Sequence, residues 1–373
     1  MTIVHFLPAA LPVLYPLGGA IQRRVREIAR TQVERGDRVI VYSAENEHGP
    51  RDYKGVEIRP ITCRLRGYFR TLEYLARAAH DARSLFAQVL HFHSLPEGAA
   101  FTRAVRAKKV LSYDNYVFRR GKKTPLFPLY QRALQGFDYL LPVSEYCLRE
   151  SVRYWQLSGI PIRVVYNGVN LEQFYPDPGL GRSMRIAMGI KQGQVILYVG
   201  RVCKQKGSDV LCDAFARLQT RMRDVHLVVA GPAKQFGEDR GSELTERIRQ
   251  VGGLYLGPVS EDVLCSLYNA CDLFVLPTRE WEMFGMVAVE AQACGKPVVA
   301  TSHGGLPEVI GPTSGALVAA GDGNGLASKI HELLTSTELR FSMAQQSREN
   351  SKRFGWKAIV AELDEVYHTA AGR

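Results

Sequence analysis

Short apolar runs alternate with amphipathic stretches along the whole chain. The runs are TIVHFL, RVIVYSA, QVLHFH, KVLSYD, YLLPVS and RVVYNG in the first half, and QVILYVG, HLVVAG, LYLG, CDLFVLP and PVVAT in the second. Helical patterns such as AIQRRVREIARTQVERG and SDVLCDAFARLQTRM lie between them. Strands that are apolar throughout are typical of parallel sheets covered by helices on both faces. The pattern therefore predicts an α/β fold built from repeated strand–helix units.

A break in this periodicity divides the chain. The stretch NGVNLEQFYPDPGLGRS is rich in Gly, Pro and Asn, and a new strand begins at Gln194. We predict a Rossmann-like domain over 1–168, a linker over 169–186, a second Rossmann-like domain over 187–353 and a C-terminal helix over 354–373. Because ligands of open α/β sheets bind at the carboxyl ends of the strands, two such domains facing across a cleft would bring two substrates together.

The composition is that of a globular protein. Of 373 residues, 46% are hydrophobic and 23% are charged, and no apolar run approaches the ~20 residues that a membrane-spanning helix needs. The first residues, MTIVHFLPAALPVLYPLGG, lack a basic region and contain three prolines. This favours a buried first strand over a signal peptide, and hence a cytoplasmic protein. The seven cysteines form no CxxC pair, so reduced and mostly buried thiols are expected rather than disulfides or a metal site.

The net charge of +11 lies almost wholly in residues 1–170, and the remainder is close to neutral. Such a basic half favours an anionic partner, and the alternative is a solvated basic surface. The stretches CRLRGYFRTLEYLARAAHDAR and FRRGKKTPLFPLYQR mix arginine with aromatic and leucine residues, which suits the surface of an anionic membrane. No nucleic-acid-binding motif is present, so nucleic acid is not an expected partner.

Two cations follow a strand in ILYVGRVCKQKGSDVL. The strand ends at Gly200, Arg201 and Lys206 stand five residues apart, and Gly207 opens a helix. A helix N-terminus supplies backbone amides and the two side chains supply positive charge, so this turn suits a diphosphate. Ordinary solvated loop cations are the alternative.

Two carboxylates frame a small-residue helix start in LFVLPTREWEMFGMVAVEAQACGKPVVAT. A strand over Leu273–Leu276 is followed by a loop that carries Glu282, and then by a helix from about Gly285 to Ala293 that carries Glu290. Eight residues of helix advance close to two turns, so the carboxylates could face one ligand rich in hydroxyl groups. The alternative is that Glu282 complements the helix dipole and Glu290 is exposed.

The chain resembles the retaining GT-B glycosyltransferases of family 4. The resemblance covers nearly all of 160–373 through GRVCKQKG, LVVAG, LYLGPVSEDVLCSLYNACDLFVLPTREWEMFGMVAVEAQACGKPVVAT, GGLPEVI and RVVYNGVNLEQFYP, which fall in the order of the family. FGWKAIVAELDEVYHTA resembles the closing helix that crosses back to the first domain. Over 1–160 the resemblance rests on PLGGAIQRRVREIARTQVERGDRVIVYSA and QVLHFHSLPEG. The sequence departs from the more usual pattern at Asn170 and at Trp281, a large residue beside Glu282.

The resemblance implies roles for individual residues. Arg201 and Lys206 would neutralise the leaving diphosphate, Glu282 would face the sugar hydroxyls and Glu290 would take the ribose hydroxyls. His93 would lie near the transferred sugar, although His91 is on the same strand face and the choice between the two rests on the resemblance. The implied catalytic residues are His93, Arg201, Lys206 and Glu282. The implied donor-binding residues are Gly18, Gly19, Gly200, Val259, Met283, Phe284, Gly285, Met286 and Glu290.

The expected activity is transfer of a hexose-type sugar, with retention, from a UDP- or GDP-sugar to a hydroxyl of a glycan or lipid-linked acceptor. The expected setting is polysaccharide or glycolipid synthesis at the inner face of the cell membrane. No D-x-D motif is present, so the resemblance implies a metal-independent enzyme without a cofactor. The alternative is a nucleotide-sugar epimerase of the same architecture. A dinucleotide oxidoreductase is disfavoured, because no G-x-G-x-x-G follows the first strand.

Overall fold

The computed structural model describes residues 1–14, 19–44, 51–113, 127–235, 238–239, 241–280 and 282–371. The chain divides into two compact units, one formed by Met1–Asn167 with Trp356–Arg373 and the other by Gly168–Gly355. In the described part of the chain, no helix combines the length and the apolar character needed to cross a membrane.

The first unit is built on one sheet. Its strands are β1 (Thr2–Phe6), β2 (Arg38–Ala44), β3 (Asp52–Tyr53), β4 (Val56–Ile61), β5 (Val89–His93), β6 (Lys108–Tyr113) and β7 (Tyr139–Pro142). The strand order is β3-β4-β2-β1-β5-β6-β7, and every pairing is parallel except that of β3 with β4. The central strands are buried throughout, as the continuous apolar runs predict.

Helices flank this sheet. In the described part of the unit they are α1 (Ala20–Glu34), α2 (Gly67–Ala82), α3 (Gly98–Phe101), α4 (Phe127–Leu134), α5 (Glu145–Tyr154) and the C-terminal α14 (Trp356–Ala371). Asp364 of α14 forms an ion pair with Arg35, and Glu365 forms another, at 2.7 Å, with Arg163. The closing helix therefore belongs to the first unit, although it follows the second in sequence.

The second unit has a six-stranded parallel sheet. Its strands are β8 (Gln194–Val199), β9 (Val225–Ala230), β12 (Leu254–Gly257), β13 (Leu273–Leu276), β14 (Val298–Thr301) and β15 (Gly315–Val318), in the order β12-β9-β8-β13-β14-β15. A small antiparallel pair, β10 (Lys234–Gln235) and β11 (Glu238–Asp239), stands apart from it. The described helices are α6 (Pro178–Ala187), α7 (Ser208–Gln219), α8 (Ser242–Gln250), α9 (Glu261–Ala270), α10 (Met286–Ala293), α11 (Leu306–Val309), α12 (Gly323–Thr335) and α13 (Thr337–Ser351).

The α/β fold with parallel sheets in two units is as predicted, but the strand content differs in places. RVVYNG forms no strand: it runs beside β7 through two backbone bonds, from Arg163 to Leu140 and from Val165 to Pro142. The pattern missed β4, since its residues are only partly buried at the side of the sheet and include Pro60. It also missed the short β15, which is likewise only partly buried.

The stretch between the two predicted domains contains a helix. The segment 169–186 lies within the second unit and holds most of α6. The carboxylate of Asp177 accepts hydrogen bonds from the N–H groups of Gly179 and Leu180, and Pro178 occupies the first turn. Asp before Pro is a helix-start pattern, so the same residues that suggest a turn begin this helix.

Candidate functional site

The candidate diphosphate and sugar residues lie at the switch point of the second sheet. The chain runs outward from β8 through β9 to β12, then returns to β13 beside β8 and runs outward on the other side. Arg201 and Lys206 follow β8, and Glu282 follows β13. In open α/β sheets the crevice at the carboxyl ends of two such strands is where ligands bind.

Glycines bring the loops after β8 and β13 together. Gly207, between the 3-10 turn Lys204–Lys206 and α7, has φ of 73°, and a Cβ atom there would lie 1.9 Å from the carbonyl oxygen of Pro277. The carbonyl of Gln205 accepts hydrogen bonds from the N–H groups of Arg279 and Glu280 at 3.0 and 3.2 Å. The glycine is thus required by both its backbone conformation and the close approach.

Lys206 and Glu282 meet in this crevice. Nζ of Lys206 lies 2.7 Å from Oε2 of Glu282, and the two side chains are 15% and 16% exposed. The family resemblance implies a diphosphate role for the cation and a sugar-binding role for the carboxylate, and the structure brings the two side chains into direct contact. A charged pair that remains partly open to solvent can exchange its partners for those of a ligand at modest cost.

Arg201 and Gly200 stand at the start of the same loop. Gly200 lies at the end of β8, where its carbonyl oxygen would be 1.9 Å from a Cβ atom on Gly231. Arg201 is half-buried, and its carbonyl accepts a hydrogen bond from the hydroxyl of Tyr198 at 2.7 Å. These contacts fix the backbone from which the Arg201 side chain extends.

The Glu282 loop is held by two glycines that sequence reasoning did not assign to the site. The N–H of Gly305 donates to the carbonyl of Glu282 at 2.8 Å. A Cβ atom on Gly304 would lie 2.0 Å from that carbonyl oxygen, and one on Gly305 would lie 2.3 Å from the carbonyl oxygen of Met283. The GG pair that precedes LPEVI is the sequence feature from which this contact could have been predicted.

The start of α10 follows the predicted pattern. Gly285 caps the helix with φ of 96°, Met286 is its first residue, and Phe284 is buried against Phe354 with 5.3 Å between ring centroids. Helix α10 has no solvent-exposed polar face, because all of its residues from Ala288 to Ala293 are buried. Trp281 lies outside the described residues.

Glu290 is buried, which rules out the alternative that it is merely exposed. It is 1% exposed, and its Oε2 accepts a hydrogen bond from the hydroxyl of Tyr268 at 2.8 Å. Tyr268 lies on α9 and is fully buried. A buried carboxylate requires polar partners, so Tyr268 joins the candidate site, although no pattern in the sequence singles it out. Val259, one of the candidate donor-binding residues, is half-buried just before α9.

The candidate residues of the first unit also lie at a switch point. In its sheet β1 and β5 are neighbours from which the chain runs outward in opposite directions. Gly18 lies outside the described residues. Gly19 is the N-cap of α1 with an ordinary φ of −101°, so its backbone conformation does not demand glycine. His93 is the last residue of β5.

His93 is one of three buried histidines on one sheet face. His5 and His91 are paired in register across β1 and β5, and the rings of His91 and His93 lie 4.2 Å apart. Nδ1 of His5 lies 3.0 Å from Nε2 of His93, and Nε2 of His5 lies 2.8 Å from Oε1 of Gln32. Burial lowers the pKa of His5 to about 4 and lowers those of His91 and His93 well below the usual value, so all three are neutral at pH 7.

The spacing of the three imidazoles would permit a metal ion, but their hydrogen bonds disfavour one. One nitrogen from each lies within 4.8 Å of the others. His91 uses Nδ1 with the hydroxyl of Tyr367 at 2.6 Å and Nε2 with that of Ser112 at 2.7 Å. Together with the bonds of His5 and His93, five of the six ring nitrogens are occupied. Arg24 also places positive charge near all three rings.

All seven cysteines are free thiols, and six of them are buried, as predicted. The pattern of cysteine spacing was therefore sufficient to exclude a disulfide framework.

Comparison with known proteins matches both halves of the chain to two family descriptions. Residues 18–173 match "Glycosyltransferase Family 4" and residues 193–336 match "Glycosyl transferases group 1". An uncharacterized glycosyltransferase of Methanocaldococcus jannaschii is 28% identical over 95% of this chain and 96% of its own. A D-inositol 3-phosphate glycosyltransferase of Salinispora arenicola is 38% identical over 56% of this chain and 50% of its own length, so only half of that relative is covered.

Among solved structures, the Anabaena protein HepE, in complex with UDP and glucose, superposes with a TM-score of 0.81. The match covers 97% of this chain and 98% of HepE, with 22% sequence identity. At that identity the likeness shows the fold.

Proposed function

We propose, since the chain belongs to family 4 of the glycosyltransferases and has the GT-B fold, that it transfers a hexose-type sugar with retention from a nucleotide-diphosphate sugar to an acceptor hydroxyl. The observation that carries the proposal is the contact of Lys206 with Glu282 at the switch point of the second sheet. There, a cation suited to a diphosphate stands beside a carboxylate suited to sugar hydroxyls.

The two cations after β8 supply most of the electrostatic stabilisation of the leaving diphosphate. When the bond between the anomeric carbon and the diphosphate breaks, negative charge grows on the leaving oxygen, and Arg201 and Lys206 stabilise it. Removing one such interaction costs roughly 3 kcal/mol of transition-state stabilisation. The acceptor oxygen forms the new bond on the same face, and its proton passes to the departing phosphate. With two cations in this role, the reaction proceeds without a divalent metal ion.

The carboxylates orient the donor. Glu282 accepts hydrogen bonds from the sugar hydroxyls, and Glu290, steadied by Tyr268, accepts them from the ribose. UDP is the favoured nucleoside diphosphate of the donor, since HepE of the same fold was solved with UDP. GDP is the second candidate. A nucleotide-sugar epimerase remains the alternative function, and it would turn over its donor without an acceptor.

Calorimetric titration with UDP, GDP, ADP and dTDP tests the donor site. We expect one diphosphate to bind well to the wild-type chain and several-fold more weakly to Lys206→Ala and Glu290→Ala. Lys204→Ala is the matched control, because Lys204 is an exposed cation of the same turn. Binding that Lys204→Ala weakens as much as Lys206→Ala would refute the assignment, and no binding by any diphosphate would refute the transferase proposal.

The acceptor is proposed to be lipid-linked, because the first unit exposes apolar side chains among cations. Leu65, Phe69 and Leu129 are 50%, 66% and 65% exposed. Helices α2 and α4 are neighbours here, with the rings of Tyr68 and Tyr130 6.4 Å apart. The exposed arginines Arg64, Arg66 and Arg132 lie in the same two segments. This combination suits the headgroup region of an anionic membrane.

Flotation with vesicles of phosphatidylglycerol, compared with phosphatidylcholine alone, tests this surface. We expect the chain to float with the anionic vesicles and Phe69→Ser to lose most of that binding. Phe341→Ser is the matched control, because Phe341 of the second unit is 64% exposed. Equal loss by both variants, or no flotation of the wild-type chain, would leave a soluble acceptor as the better proposal.

A further inference from the structure

A second ion pair crosses between the segments that follow β8 and β13. Arg279 lies in the loop after β13, and its Nη2 is 3.0 Å from Oδ2 of Asp209 in the first turn of α7. In this pair the loop after β13 contributes the cation, whereas in the contact of Lys206 with Glu282 it contributes the carboxylate. The two ion pairs therefore have opposite polarity across the same crevice.

Asp209 lies where a carboxylate stabilises the helix but opposes a diphosphate. A negative charge in the first turn complements the partial positive charge of a helix N-terminus. The proposed function puts the diphosphate at the turn before this same helix, so the charge of Asp209 would repel that ligand. The Asp209 side chain is only 13% exposed, and salt and water therefore screen its charge incompletely.

Arg279 is in a position to neutralise that carboxylate. Within the described residues Arg279 is the ion-pair partner of Asp209, while Oδ1 of Asp209 and Nε of Arg279 are buried without a hydrogen-bond partner. The backbone of Arg279 is fixed by a separate contact, because its N–H donates to the carbonyl of Gln205 at 3.0 Å. The side chain thus reaches Asp209 from a backbone that is already held beside the turn.

We propose that Arg279 is a positioning residue that neutralises the charge of Asp209, so that the turn before α7 remains positive enough to bind a diphosphate. The inference deepens the proposed function and rests on it for the identity of the ligand. The half-buried charged side chains of this turn and of the loop after β13 are Arg201, Lys206, Asp209, Arg279 and Glu282. Three cations and two carboxylates leave one positive charge, and loss of Arg279 would leave none.

Calorimetric titration of the full chain measures the effect of each charge, with whichever of UDP, GDP, ADP and dTDP binds best as the probe. Charge neutralisation predicts opposite signs: Arg279→Gln should raise the Kd about three- to tenfold, and Asp209→Asn should lower it by a similar factor. The double variant should bind within about twofold of the wild-type chain, because both charges are gone. Raising the salt from about 0.1 M to about 1 M should shrink both single-variant effects.

The matched control is the ion pair one turn further along α7. Asp213 pairs with Arg247 of α8, and their side chains are more exposed, at 52% and 41%. Asp213→Asn and Arg247→Gln should change the Kd by less than about twofold, because this pair lies farther from the helix start and is better screened. Arg279→Lys keeps the positive charge, so it should retain most of the wild-type affinity.

Three results would overturn the proposal. Weaker binding by both single variants would mean that the ion pair only holds the two segments together. A double variant as weak as Arg279→Gln would mean that Arg279 contacts the diphosphate directly. Unchanged binding by both single variants would mean that neither charge acts on the ligand.

Two further outcomes are also decisive. Should Arg279→Gln not fold, the sign of the change in Asp209→Asn decides, since only tighter binding agrees with charge neutralisation. If the wild-type chain binds no diphosphate, the proposed function fails and this inference fails with it. Wild-type binding with any of the three contrary results overturns the role of Arg279 alone.

Discussion

The ammonium of Lys206 and the carboxylate of Glu282 form an ion pair across two loops that are 76 residues apart in sequence. Each is a candidate ligand group for a different part of the donor, so the pair holds both side chains in place and also keeps each from its ligand. A diphosphate that binds to Lys206 must therefore weaken the ion pair between Lys206 and Glu282.

This competition predicts opposite effects on binding and transfer. Glu282→Gln removes the competing charge, so the free diphosphate should bind about three- to tenfold more tightly, while sugar transfer falls at least a hundredfold. Calorimetry and a transfer assay measure the two. Glu280→Gln, an exposed residue of the same loop, is the control and should change neither. A parallel loss of diphosphate affinity and transfer would mean that Glu282 does not restrain Lys206.

Lys206→Ala should lose transfer far more than donor affinity. The ammonium stabilises charge that is fully developed only when the diphosphate leaves, so its effect is concentrated in the transition state. We expect kcat to fall by about two orders of magnitude and the donor Kd to rise only several-fold. Equal losses in the two quantities would contradict a role in the chemical step.

Glu290→Gln should remove discrimination for the ribose hydroxyls. The wild-type chain is expected to bind the ribonucleoside diphosphate roughly tenfold more tightly than its 2′,3′-dideoxy analogue, and the variant should bind both alike. Tyr268→Phe removes only the bond that steadies the carboxylate, so it should keep part of the preference and lower the free energy of unfolding by about 1–3 kcal/mol. A preference that survives intact in Glu290→Gln would place the ribose elsewhere.

Gly304→Ala should displace the Glu282 loop. The added Cβ atom would lie 2.0 Å from the carbonyl oxygen of Glu282, and φ at Gly304 is 66°. Gly321→Ala is a close control, because φ there is 83° but nothing lies within 4 Å of the added atom. Both variants should lose about 1 kcal/mol of the free energy of unfolding, measured by thermal unfolding, because alanine is strained at a positive φ. Only Gly304→Ala should also lose transfer activity. Equal activity in the two variants would show that the contact does not shape the site.

The three buried histidines predict an acid-sensitive first unit. Their pKa values are lowered by burial, that of His5 from 6.5 to about 4. The unfolded chain therefore takes up protons below about pH 6.5 while the folded unit does not, so the free energy of unfolding falls as the pH falls through this window. The slope is about 1.4 kcal/mol per pH unit for each histidine. Denaturant unfolding between pH 7.5 and 4.5 measures it, with His5→Asn expected to flatten the profile and a flat wild-type profile refuting the effect.

The sequence by itself determined the α/β class, the parallel sheets and most of the strands. Apolar runs such as those around Ile196 and Val275 are buried on both faces of a sheet. Such burial requires apolar side chains at consecutive positions, which is a local property of the sequence. It also located two cations and one carboxylate at loop positions, since Arg201, Lys206 and Glu282 all follow predicted strands. The sequence likewise predicted that a helix starts at Gly285, because helix capping depends on neighbouring residues.

Tertiary structure alone decided which of these groups meet. The contact of Lys206 with Glu282 depends on β8 and β13 lying side by side, and a strand order of this kind is not encoded in local periodicity. The burial of Glu290 against Tyr268 and the alignment of Gln32, His5 and His93 depend in the same way on packing between distant elements. A hydrogen bond needs its donor and acceptor within about 3 Å, and only the assembled sheets and helices fix distances on that scale.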